Sequence, residues 1–198
     1  MKSPRTIAAA LFAVALPVSV ATLHAAEPAA VFDQVQATRN RIDFVFTQMG
    51  VPVNGHFKKA KIDLLFDPAV PAKSTVKLDL DLGSIDAGST DANQEVVGKT
   101  WFDLKNFPTA TFVSSAVKPL GGNRYEMTGK LSIKGKTRDV TTPITVTQKG
   151  NTAVFDGGFT LKRLEFAIGD GSWSDTSIVA DEVKVSFHVE ADRRATGK

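Results

Sequence analysis

The side chains able to do chemistry are few. There is no cysteine in the 198 residues, which removes thiol nucleophiles, thiolate metal sites and disulfides. His24, His56 and His188 are the only imidazoles, and their contexts lack metal-ligand spacing, so neither a metal site nor a cofactor is expected. Asp79 and Asp81 are two apart, which in a strand places both carboxylates on one face. A general acid–base pair needs such proximity, but a charged strand face uses the same pattern far more often. Gly169-Asp170-Gly171 has no following helix and does not read as a phosphate loop. Arg138, Arg163 and Asp181 continue the apolar parity of their strands, so all three are expected to point inward near strand ends. A buried charge is costly unless paired. The expectation is a rim cluster in which Asp181 pairs with one or both arginines. It would serve either as a structural latch or as a cation for a polar or phosphorylated ligand head.

The elements that must hold these residues are strands. Tyr125–Val146 reads as a hairpin with Tyr125, Met127, Leu131 and Ile133 on one parity and Glu126, Thr128, Lys130, Ser132 and Lys134 on the other, wet one. Lys134-Gly135-Lys136 supplies its turn. The same period-two pattern recurs in Arg41–Gln48, Val53–Phe66, Lys73–Leu82, Ala110–Val117, Asn151–Arg163 and Asp181–Ala191. Thr90–Gly98 is the one helix candidate, with Thr90 or Asp91 as N-cap and Gly98 as its end. Eight strand runs with short polar connections suit an all-β, antiparallel closed barrel or two-sheet sandwich.

The start of the chain reads as an export leader. Lys2 and Arg5 precede the uncharged apolar run Ile7–Val20, too short for a comfortable membrane span, and small residues follow. Residues 1–26 are expected to be cleaved, leaving 27–198 as one domain in the bacterial periplasm and no integral membrane segment. Removal of Lys2 and Arg5 lowers the formal net charge from +3 to +1. That balance, with no basic run interleaved with aromatics, excludes a nucleic-acid partner as the natural reading.

Gly129-Lys130-Leu131-Ser132-Ile133-Lys134-Gly135-Lys136-Thr137-Arg138 resembles the G-x-L-x-I-x-G-x-T-R hairpin of the YceI-like family of polyisoprenoid-binding, lipocalin-like proteins. Ser84–Gly88, Trp101-Phe102-Asp103, Phe107–Phe112, Arg163 with Phe166 and Gly169, and Val179–Val183 agree in order, so the resemblance covers roughly the whole mature chain. Thr47-Gln48-Met49-Gly50 departs from the K-H pair often found before the first turn. Gly171-Ser172-Trp173 mimics the G-x-W of true lipocalins, but near the wrong terminus. The resemblance implies an extended eight-stranded antiparallel lipocalin-like β-barrel with one short helical insertion. Its interior would take an isoprenoid, quinone or other long-chain lipid tail, without catalysis.

The apolar inward parity supplies the candidate lining. It includes Phe44 and Phe46, Ile62 and Leu64, and Leu78 and Leu80. It continues with Tyr125, Met127 and Leu131, then Phe155, Phe159 and Phe187. Periodicity alone leaves filled core and lined cavity both open. Trp101 and Phe112, with Phe102 and Phe107, form either a satellite cluster or the mouth. Gly129 and Gly157 lie on the inward parity, where each opens space for a tail or bends the strand. The expected function is a carrier that buries a lipid tail. The alternatives are an enzyme acting on such a lipid through Asp86, Asp181 or His56, and a stress or interaction protein using the barrel as scaffold. Monomer and homodimer are both compatible with the mixed surface charge.

Overall fold

The computed structural model describes residues 31–194; the leader predicted for 1–26 lies outside them. The elements are β1 (Phe32–Val35), β2 (Arg41–Gln48), β3 (Val51–Phe57), β4 (Ala60–Leu65), β5 (Thr75–Asp81) and β6 (Ile85–Asp86). After α1 (Thr90–Val96) come β7 (Thr109–Gly121), β8 (Arg124–Ile133), β9 (Lys136–Lys149), β10 (Thr152–Lys162) and β11 (Glu182–Arg193). Every pairing is antiparallel, in the order β4-β5-β7-β8-β9-β10-β11-β2-β3-β6.

That path curls back on itself. The strand expected over Val53–Phe66 is one run interrupted at Lys58-Lys59, where Lys59 N–H donates to Ser84 Oγ at 3.0 Å. β5 and β6 are likewise joined by a single tight turn, Leu82–Ser84, capped by Asp81 Oδ1 on Gly83 N–H. Counting β3–β4 and β5–β6 each as one bent strand gives an eight-stranded antiparallel barrel, the closed one of the two architectures that the pattern left open. β1 is an extra piece: it pairs with β11 and bridges Phe32 to Phe66. The helix is capped by Ser89, whose hydroxyl accepts from Ala92 N–H at 3.2 Å, rather than by Thr90 or Asp91. β7 continues past the Ala110–Val117 run through Pro119-Leu120 to Gly121, and its register against β8 shifts between Pro119 and Gly121.

The two ends of the barrel differ. At the lower end Phe32, Phe66, Tyr125 and Phe155 are buried together. Tyr125 and Phe155 meet the Phe66 ring edge-on at 5.4 and 5.1 Å between centroids, a favourable geometry for aromatic quadrupoles. At the upper end the segments 97–108 and 163–181 fold over the opening. The wall itself also divides there. β9 and β10 pair only up to Ile144↔Gly157, although β10 stays paired with β11 as far as Lys162. Pro143 has no N–H to continue the ladder, and Thr142 Oγ1 donates to Gly158 O at 2.9 Å at the fork.

Candidate functional site

Above the aromatic plug the barrel is hollow. The cavity has a volume of about 560 Å³, within the usual range for small-molecule sites. Its wall is almost wholly apolar. Phe44, Phe46, Ile62, Leu64, Leu78 and Leu80 line one side. Phe112, Met127, Leu131, Phe155, Phe159 and Phe187 line the other, and Trp101 lies under the upper cover. Tyr125 is the exception to the expected lining: its parity is inward, but its height along the strand places it in the plug against Phe66.

The hollow has a specific sequence origin. Gly55 pairs across the ladder with Phe44, and Gly157 with Phe187; Gly129 lies diagonally from Phe112. In each case a Cβ on the glycine would collide with the ring of that phenylalanine. The rings lie against the wall in the space where a side chain is missing. The glycines therefore open the lumen by accommodating phenylalanine rings, rather than by offering their own small vacancy to a tail.

The charges predicted for the rim do not form a cluster. Arg163 is 1% exposed and has no ion pair among the described residues. Its five N–H donors are all spent on backbone carbonyls: Nε on Ala180 at 3.1 Å, Nη1 on Ile168 and Gly169 at 2.9 and 3.0 Å, and Nη2 on Trp173 and Val179, both at 2.7 Å. Burial pulls its pKa below the usual arginine value, while the charges of Asp181 and Asp170 oppose that pull. Arginine remains charged throughout the accessible range. Gly169, at φ +78°, leaves the room that Nη1 occupies. Asp181 serves the backbone instead, accepting from Leu164 N–H at 2.9 Å.

Arg138 corrects the expectation in the opposite direction. It stands opposite inward-facing Leu131, yet its side chain is 46% exposed, donates to Thr137 O at 2.9 Å and comes no closer than 4.0 Å to Glu165. So close to the rim, inward parity leads to solvent. Lys134, which the alternation assigned to the outer face, is the cation sequence reasoning missed. It occupies a left-handed turn position at φ 48°, and its Nζ donates to Ala167 O at 2.5 Å and Thr100 O at 3.3 Å. The turn residue is thereby tied to both covering segments. The signal available in the sequence was lysine in a position where a type I′ turn prefers Asn or Asp.

The remaining polar lining is acidic or neutral. Asp43, Gln48, Ser89, Asp91 and Glu95 border the cavity. Glu95 Oε1 accepts from Trp173 Nε1 at 2.9 Å, linking α1 to the 163–181 segment. Trp101 packs against Trp173 with ring centroids 5.4 Å apart and planes tilted by 56°, and its own buried Nε1–H has no partner among the described residues.

The residues weighed for catalysis are dispersed. Asp79 pairs with Lys77 at 3.1 Å, and Asp81 caps a turn. Asp86 is opposite His56 in the ladder, but it is engaged by Lys58 at 3.1 Å and by Gly88 N–H, which hold its carboxyl below the usual range. His188 contacts Asp156 at 2.6 Å, away from the cavity. No cluster of three or more metal-ligating side chains occurs among the described residues.

Comparison with known proteins agrees with this architecture. The profile of the YceI-like domain matches residues 34–191. The crystal structure of Burkholderia cenocepacia BcnA is similar at 49% identity, with a TM-score of 0.78 over 80% of this chain and 99% of that one. A UPF0312 protein of Azotobacter vinelandii is 28% identical over 164 residues, which are 77% of this chain and 81% of the relative. A polyisoprenoid-binding domain from Saccharophagus degradans shares the fold, with a TM-score of 0.65 at 15% identity over 84% of this chain and 100% of that domain.

Proposed function

The chain belongs to the YceI-like family, and on that footing we propose that it is a periplasmic carrier burying the tail of an isoprenoid lipid or quinone with an uncharged head. The observation that carries the reading is the 560 Å³ apolar hollow above a sealed floor. Each methylene moved from water into such a lumen gains about 0.8 kcal/mol, so a long tail is held without any directional contact. The polyisoprenoid binding stated for the Saccharophagus degradans domain, which shares only the fold, and the leader-like residues 1–26 point the same way.

The charges support a neutral head. The only cation on the cavity wall among the described residues, Arg163, has no donor left to offer. The other charged lining residues, Asp43, Asp91 and Glu95, are acids. A phosphate would lose water and meet like charge. Protein isolated from its own envelope, extracted with organic solvent and analysed by mass spectrometry, is expected to yield a neutral prenyl lipid in near-stoichiometric amount. Extracts without lipid, from protein that also takes up none added later, would defeat the reading.

A further inference from the structure

The turn between β2 and β3 has a side chain that neither packing nor turn chemistry explains. Met49 and Gly50 have φ 47° and 80°, a two-residue hairpin turn with both residues left-handed. Such turns favour Asn-Gly or Asp-Gly, because a short polar side chain tolerates that conformation. Here a methionine takes the first position and is 72% exposed. The comparable turn at Lys134-Gly135 uses its first residue to bind the upper cover; Met49 holds nothing in the described structure.

Met49 is not alone. Val51 is 61% exposed on the same hairpin, and Ile178 is 38% exposed beside it, where Ile178 O accepts from Met49 N–H at 2.8 Å. Three of the six large apolar side chains most exposed among the described residues therefore share one tip. The segments that build it, Phe46–Asn54 and Thr176–Ala180, contain no charged residue. The tip also adjoins the cavity: Gln48 and Val179, which bridge to each other and flank Met49 and Ile178 in sequence, both line it.

From this juxtaposition we infer that the Met49–Val51–Ile178 tip enters the surface of a lipid bilayer and brings the cavity to the membrane. The inference rests on the carrier reading for its choice of partner. A bilayer accepts a few apolar side chains without a complementary partner surface, and an uncharged tip has no ion to desolvate there. A second copy of the chain fits less well, since three side chains fall far short of the roughly 800 Å² per partner of a stable interface.

The test is flotation with phosphatidylcholine vesicles, alongside uptake of N-phenyl-1-naphthylamine by the same protein in solution. Wild type is expected to float. Replacing the tip by Met49→Ser, Val51→Ser and Ile178→Ser is expected to reduce the bound fraction by roughly tenfold, with uptake of the dye unchanged. Met49→Lys alone, at an exposed position, is expected to give an intermediate loss. Equal flotation of wild type and both variants, or no flotation by wild type that takes up the dye, overturns the tip and leaves the carrier reading standing. Flotation that depends on the tip in protein that takes up no dye supports the tip and counts against the carrier reading. Tip-dependent self-association in sedimentation velocity, without flotation, assigns these residues to a dimer contact and overturns the inference.

Discussion

The lower and upper halves of this barrel are built from the same alternating strands but spend their aromatic residues differently. Below, Phe32, Phe66, Tyr125 and Phe155 project into one another and fill the interior. Above, Phe44, Phe112 and Phe187 lie against the wall over Gly55, Gly129 and Gly157. Similar residue types give a plug in one half and a lumen in the other. The difference lies in whether the neighbouring strand offers each ring a glycine, directly opposite or on the diagonal.

The contrast can be broken first at the plug. Phe66→Ala removes the ring on which two others pack and should cost about 3–5 kcal/mol in urea unfolding. Phe159→Ala removes a ring of the same size that already borders empty space, so a loss of roughly 1 kcal/mol is expected, with weaker retention of apolar dye. Equal costs would mean that the upper half is packed like the lower.

The upper cover depends on Arg163. Arg163→Lys keeps the charge but has too few donors for five carbonyls in fixed directions. Carbonyls left buried without partners should lower stability by about 2–3 kcal/mol. Faster hydrogen exchange should be confined to 163–181, with the plug still protected. Exchange rising equally in both halves would show that the cover and the barrel are one cooperative unit.

Gly157→Ala tests the origin of the lumen. Its Cβ would meet the Phe187 ring and Pro143 O, forcing the ring inward at a cost of about 1–3 kcal/mol. Dye uptake should fall more than Phe159→Ala makes it fall, because the lumen is filled rather than enlarged. Unchanged uptake would separate the glycines from the hollow.

The smallest effect concerns pH and should appear at the lower end. Asp33 is held below the usual carboxylate range by a hydrogen bond from Gln34 and by Arg194, and Glu190 by Arg39, at 3.0 Å, and by His188. Folded values below the unfolded ones mean that these groups stabilise above the unfolded pKa of about 4. That contribution is lost as pH falls through the depressed folded values. Exchange at β1 and the end of β11 should therefore rise below about pH 4 before it rises at Arg163, whose charge does not titrate there. The reverse order would remove the electrostatic part of the comparison.

Much of this was legible in the sequence because period-two alternation separates wall from exterior. It identified the eight runs, and all but one of the apolar residues it named for the lining border the cavity. It failed where a residue's height along the barrel mattered more than its side of the strand. Tyr125 is inward but too low, and Arg138 is inward but too near the rim. It placed Arg163 inward as found but gave it the wrong partner: the segments that follow the turn Arg163–Phe166 surround its guanidinium with backbone carbonyls, so Asp181 is not needed to satisfy it. Lys134 escaped notice because a left-handed turn redirects its side chain. The glycines were correctly placed inward, but the rings above them depend on cross-strand register, which a single strand does not reveal.

The most direct test of a neutral-head carrier is a competition titration. The protein, freed of lipid, is titrated with an uncharged prenyl quinone and with a polyprenyl phosphate of matched tail length, each displacing N-phenyl-1-naphthylamine. The account predicts saturable one-to-one displacement by the quinone and binding of the phosphate weaker by at least about tenfold, the like-charge and desolvation penalty of the acidic lining. Equal or tighter binding of the phosphate, or no displacement by either, would contradict it.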